Sequence, residues 1–240
     1  MPTDTTAFAS TPSVQPLRIG MLVYPMMTLL DLAGPQSALG MHGETYLVWK
    51  DHEPVPTDSG VTVMPTHTFA DCPDDLDVLF APGGFGTARW MEDEAVIGFL
   101  REKGEAAHYV TSVCSGALLL AAAGLLEGYR AATHWKVHDA LAAMGVDAVR
   151  DRVVHDRNRM TGGGVTAGID FGLTLLAELR GEMAAKITQL AMEYDPKPPF
   201  QSGTPERAEP EVLAAFAQMT EGMDAETMGA VGRIREANAA

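Results

Sequence analysis

The chain has 240 residues, room for one α/β domain or two small ones, and its 46% hydrophobic content supplies a large core. A formal net charge of −15 provides no basic footprint, so neither nucleic acid nor an anionic membrane is expected as a partner. The two cysteines, Cys72 and Cys114, have no CxxC spacing, which argues against a disulfide framework and a structural zinc site.

Residues 1–16 lack both basic residues and an apolar run. They read as a flexible tail rather than a signal peptide. Residues 17–24 (LRIGMLVY) suit a buried strand stopped by Pro25, followed by a helix from about Asp31 or Pro35 to Met41. Strand patterns recur at 44–50 and, more briefly, over 61–69. The run DVLFA at 77–81 ends in Pro82-Gly83-Gly84, as a central parallel strand does before a tight turn.

Helical periodicity covers 90–104, and 108–113 is the next strand. It leads directly into 115–126, apolar all round and therefore a buried helix. The longest aliphatic stretch, 116–126, is too short to span a bilayer, so a cytoplasmic location is expected. A short strand at 130–133, a helix at 134–144, one or two strands at 153–161 and a helix at 169–179 complete the alternation. Residues 181–194 read as helix, 195–205 as a Pro-rich connector, and 209–239 as an amphipathic helical tail.

Strands and helices alternating at this spacing predict an α/β sandwich, a mostly parallel sheet with helices on both faces. Ligands in such sheets sit beyond the carboxyl ends of the strands. The loops at 25–31, 82–87, 114–115 and 162–165 all follow strands and should converge on one crevice. The domain division is a tail at 1–16, an α/β domain at 17–205 and a helical extension at 206–240.

The strongest chemical signal is Ser112-Val113-Cys114-Ser115-Gly116, a strand ending in Cys and opening into a helix. This is a nucleophile elbow with Cys at its apex, and a helix N-terminus favours thiolate over thiol. Cys72 lies in the acidic segment Asp71-Cys72-Pro73-Asp74 and reads as inert. Asp31, among apolar neighbours, suits a helix N-cap, a general acid of raised pKa, or both. Gly83-Gly84 offers backbone amides for an oxyanion hole, or a plain turn. The GxGxxA pattern at 162–167 lacks an acid at the end of a following strand, which rejects a dinucleotide site. His134 and His138, four apart on a helix, lack a third ligand in sequence, so no metal is expected.

The segments LLDLAGP (29–35), APGG (81–84), YVTSVCSGALLLAAAGLL (109–126), ATHW (132–135) and TGGGVTAGIDFGL (161–173) together resemble the ThiJ/PfpI superfamily. That resemblance implies a flavodoxin-like sandwich related to class I glutamine amidotransferases. Within the superfamily the chain is most similar to the isocyanide hydratase branch. The resemblance implies Cys114 as nucleophile, Asp31 as the acid, and the Gly84 and Ser115 amides as the anion-binding positions. It also implies an isocyanide substrate, no metal or organic cofactor, and a homodimer built on the helices after the elbow and after Gly164. The hydratase pattern has Thr after the cysteine where this chain has Ser115, which retains the hydroxyl. Protease-like members have His there, so Ser115 removes that base. Many members use Glu in place of Asp31, and the shorter acid points toward the hydratase branch. The rivals are a glyoxalase-like enzyme or hydrolase of the superfamily, a ligand-sensing module, and a redox sensor based on Cys114.

Overall fold

The computed structural model describes residues 15–239. The expected tail therefore falls, except for its last two residues, outside the described residues. In chain order the strands are β1 (Leu17–Leu22), β2 (Gly43–Trp49), β3 (Val55–Pro56), β4 (Thr62–Val63), β5 (His67–Thr68), β6 (Val78–Ala81), β7 (Tyr109–Val113), β8 (Arg130–Ala132), β9 (Asp147–Val149), β10 (Val153–Asp156) and β11 (Arg159–Gly162). The α-helices are α1 (Leu29–Leu39), α2 (Thr87–Trp90), α3 (Glu94–Ala106), α4 (Gly116–Ala122), α5 (His138–Ala143), α6 (Ala167–Arg180), α7 (Glu182–Ala191), α8 (Pro210–Met219) and α9 (Met223–Ala239).

Seven strands form one sheet in the order β10-β11-β7-β6-β1-β2-β5, parallel throughout except for β10. The continuous apolar runs occupy its centre. Every residue of β6 is buried, as is every residue of β1 except Arg18. Helices α1, α6 and α7 pack together as one layer, and α3 packs with α4 in another. The α/β sandwich predicted from the alternation is the observed architecture.

The register fixes where the loops emerge. Ala81 pairs with Ser112 and Val113 with Gly162, so β6, β7 and β11 end side by side. The chain leaves β1 toward β2 on one side, while β6 lies on the other. That reversal opens a crevice at the carboxyl ends of β1 and β6.

Boundaries differ from the sequence pattern where side chains intervene. The helix expected over 90–104 begins at Glu94, because Asp93 caps it by accepting from the Ala95 and Val96 amides, each at 3.1 Å. The helix expected over 115–126 stops at Ala122. The helical tail consists of two helices, divided at Gly222, whose φ of +88° suits glycine. The small ribbons β3–β4 and β8–β9 were only partly foreseen, since two- and three-residue strands carry almost no periodicity.

Candidate active site

Cys114 sits between β7 and α4 with φ at +55°, a left-handed conformation in a residue other than glycine. Such geometry costs on the order of 1–3 kcal/mol and persists only where the surroundings enforce it. Here the Cys114 amide donates to the Gly163 carbonyl at 2.7 Å, and the Thr133 hydroxyl donates to the Cys114 carbonyl at 2.8 Å. The glycine-rich loop after β11 thus braces the elbow. Gly116 passes so close to the Ala81 and Pro82 carbonyls that any Cβ would collide with backbone. The glycine two positions after the apex is therefore a steric requirement of the turn.

Asp31 lies in the first turn of α1 but is not its N-cap. Thr28 is the N-cap residue, and Asp58 from a separate loop supplies the carboxylate, accepting from the Thr28 hydroxyl at 2.7 Å and the Leu29 amide at 3.4 Å. This corrects the N-cap expectation and frees the Asp31 side chain to turn inward. It is fully buried. Its Oδ2 accepts from the Gly83 amide at 2.8 Å, while Oδ1 has no hydrogen-bond partner among N and O groups.

Asp31 and Cys114 act on each other's protonation. Burial pushes the Asp31 carboxyl up to about 7, against the lowering influence of the Gly83 amide and the Cys114 thiol. Burial likewise pushes the Cys114 thiol upward, and the Asp31 charge adds to that rise, while the Ser115 amide opposes it. Burial works against the thiolate expected from the helix terminus. Cys114 is only 7% exposed, and burial is the largest influence on its thiol, in the raising direction. Two groups raised together favour holding one proton between them over holding none.

Ser115 is buried, and its hydroxyl accepts from the Gly84 amide at 2.9 Å and lies 2.8 Å from the Thr87 hydroxyl. Thr87 in turn contacts the Tyr24 hydroxyl at 3.0 Å and donates to the Gly84 carbonyl at 2.8 Å. The Gly84 amide is therefore engaged by Ser115 rather than open for an anion. Gly83 is equally confined, since a Cβ there would lie 2.5 Å from the Ser115 nitrogen.

The loops converge as expected. A cavity of about 240 Å³ is lined by Thr28, Gly84, Cys114, Ser115 and Val165 from those four loops. Phe216, Thr220 and Met223 from α8 and the start of α9 also line it. The sequence reading missed Thr87, Asp58 and this C-terminal wall. The threonine and aspartate carried no distinguishing motif, and the wall depends on how α8 and α9 fold back.

The remaining candidates fall elsewhere. Cys72 is buried and free, and its thiol is pushed up to about 11, chiefly by burial, which fits an inert residue. His134 lines the cavity and accepts from the Lys136 amide through Nδ1, whereas His138 does not line it. No group of three or more His, Cys, Asp or Glu side chains forms a metal-binding cluster among the described residues. No helix among them is long and apolar enough to cross a membrane.

This elbow, acid and parallel sheet define a cysteine-centred α/β protein of one family. The DJ-1/PfpI family matches residues 17–178, and the chain belongs to it. It is 52% identical over 194 residues to the isonitrile hydratase of Pseudomonas putida, covering 80% of this chain and 85% of that protein. A crystal structure of a ThiJ/PfpI family protein from Pseudomonas syringae superposes with a TM-score of 0.89 at 45% identity, covering 97% of each chain. The transcriptional regulator GbdR of Pseudomonas aeruginosa is 32% identical over 73% of this chain, which spans 50% of that regulator.

Proposed function

We propose that the protein hydrates an isocyanide to an N-substituted formamide, with Cys114 as nucleophile and Asp31 as the proton-transfer group. The observation that carries this reading is the buried Oδ1 of Asp31, without a nitrogen or oxygen partner, and the mutual influence of Asp31 and Cys114 beside an apolar cavity. The likeness to the isonitrile hydratase of Pseudomonas putida supports the choice of substrate class.

The first step transfers the single proton. Cys114 sulfur bonds to the terminal carbon of R–N≡C, and that carbon takes the thiol proton through Asp31, giving the thioimidate Cys–S–CH=N–R. Water then adds to the same carbon: Asp31 accepts one of its protons and delivers it to nitrogen. Collapse of the resulting Cys–S–CH(OH)–NHR breaks the C–S bond, returns a proton to sulfur and releases HC(=O)–NHR. Covalent catalysis divides one difficult hydration into two easier additions. An acid poised near neutrality suits a group that must both give and take a proton. The Gly84 amide and the Ser115 amide and hydroxyl hold the substrate end and the sulfur, the Gly84 amide by exchanging its bond to Ser115 Oγ for one to substrate. The atoms balance without a metal or organic cofactor.

We place this activity in the cytoplasm and in a homodimer. Helix α4 cannot supply the dimer contact expected of it, because nearly all of it is buried inside the protomer. Helix α7 presents Met183, Ile187 and Leu190 to solvent at 72%, 61% and 81% exposure, one apolar stripe at helical spacing. A second copy covering that stripe, together with the exposed part of α6, gives the dimer.

Isocyanide hydration and methylglyoxal consumption assayed side by side test the reading. Hydration of isocyanides by the wild type supports it. Turnover of methylglyoxal alone assigns the glyoxalase-like alternative, and ligand binding without turnover assigns a sensor.

A further inference from the structure

Everything outside the family's matched region lies beyond residue 178 or before residue 17, yet the cavity depends on residues far past that limit. Phe216 of α8, Thr220 of the bend, and Met223 and Thr227 of α9 line the cavity together with Leu118 and Val137. We propose that α8 and α9 are the specificity wall of the active site, and that they select isocyanides whose N-substituent is compact, uncharged and apolar. This inference rests on the hydration reading above and names the substrate class within it.

Three contacts pin the wall. The ring of Phe216 lies 5.4 Å from that of Trp135. Lys136 Nζ donates to Asp224 Oδ2 at 2.8 Å, tying the segment before α5 to the start of α9. Arg233 makes a paired contact with Glu92, at 2.6 and 2.8 Å, near the middle of α9. Single surface pairs contribute little, but a two-pronged guanidinium–carboxylate contact fixes geometry as well as proximity. The helices are thereby positioned as a fixed side of the cavity.

Size and charge set what fits. About 240 Å³ lies below the roughly 300–1,000 Å³ typical of drug-sized ligands, so the substituent must be small. Phe216, Met223, Leu118 and Val137 give it apolar surroundings. Asp58 and Glu226 also line the cavity, whereas the cation there, Lys136, is already paired with Asp224. An anionic substituent meets repulsion without a free counter-charge.

The test compares kcat/KM for cyclohexyl isocyanide, methyl isocyanide and isocyanoacetate in the full-length protein. Wild type should favour cyclohexyl over methyl by about tenfold or more, since apolar pockets discriminate on that scale. Isocyanoacetate should be the poorest of the three. Phe216→Ala should reduce the cyclohexyl-to-methyl ratio by about tenfold, mainly through KM. Met223→Trp adds bulk instead of removing it, and should also lower that ratio by excluding the larger substituent. An unchanged ratio in both variants, or isocyanoacetate as the best substrate, overturns the proposal. Should wild type hydrate no isocyanide, the hydration reading fails, and calorimetric binding of N-cyclohexylformamide judges the wall separately. Weaker binding by about tenfold in Phe216→Ala supports it; equal binding, or none to wild type, overturns it.

Discussion

The Gly83 amide holds Asp31 by one carboxyl oxygen, at 2.8 Å, and leaves the other buried without a nitrogen or oxygen partner. The carboxyl is thus oriented by the turn after β6, and in the proposed mechanism its other oxygen exchanges the proton. Asp31→Asn keeps the shape but cannot exchange a proton, and should lower kcat/KM for isocyanide by roughly 10²–10⁴-fold. Asp31→Glu carries the carboxyl past the Gly83 amide, and misplacement on that scale can cost around 10²-fold. Steady-state rates on isocyanide and methylglyoxal check both variants. Improved methylglyoxal turnover in Asp31→Glu would favour the glyoxalase-like alternative.

In the proposed mechanism, the proton shared by Asp31 and Cys114 makes activity pH-dependent in a definite direction. With Asp31 at about 7, kcat/KM should rise as pH increases through that value and then level off. Alkylation of Cys114 by iodoacetamide should instead have its midpoint above the free-thiol value of about 8.5, because burial and Asp31 raise the thiol. Stability supplies an independent reading. A carboxyl raised from 3.8 unfolded to about 7 folded stabilises the fold below 3.8 and loses that contribution as pH rises through 7. Asp31→Asn lacks this loss. Its melting temperature should therefore gain on wild type between pH 4 and pH 8; a difference constant with pH would contradict the burial of an ionisable Asp31.

Much of this site was legible because its chemistry falls at strand ends. The apolar runs of β1, β6 and β7 fixed the central sheet, and the small residues around Cys114 marked the elbow. Ser115 was recognisable as a hydroxyl beside Cys114, but not its bond to the Gly84 amide, which depends on two loops meeting. Asp31 was legible as a buried acid. Its displacement from the N-cap was not, because Asp58, 27 positions further on, takes that place through tertiary contact. The burial that opposes a Cys114 thiolate is not legible for the same reason. Sequence displays a helix terminus, whereas desolvation is set by everything packed around it. The C-terminal wall was invisible, since amphipathic periodicity tells that a helix packs but not where.

The apolar stripe on α7 predicts a dimer of two 25.6 kDa chains. Sedimentation at micromolar concentration should give the dimer for wild type, and Ile187→Glu should shift it toward monomer by burying an unpaired charge in the contact. A wild-type monomer would contradict the assembly. A dimer indifferent to Ile187→Glu would place the contact elsewhere.

The central claim is a covalent bond between Cys114 and the isocyanide carbon, and mass spectrometry of protein quenched in acid during turnover tests it most directly. Wild type should show a mass increase equal to the intact isocyanide, localised to the peptide containing Cys114 and absent from that containing Cys72. Cys114→Ala should show neither the adduct nor hydration, and Cys72→Ser should retain both. Hydration at the wild-type rate by Cys114→Ala would contradict the account.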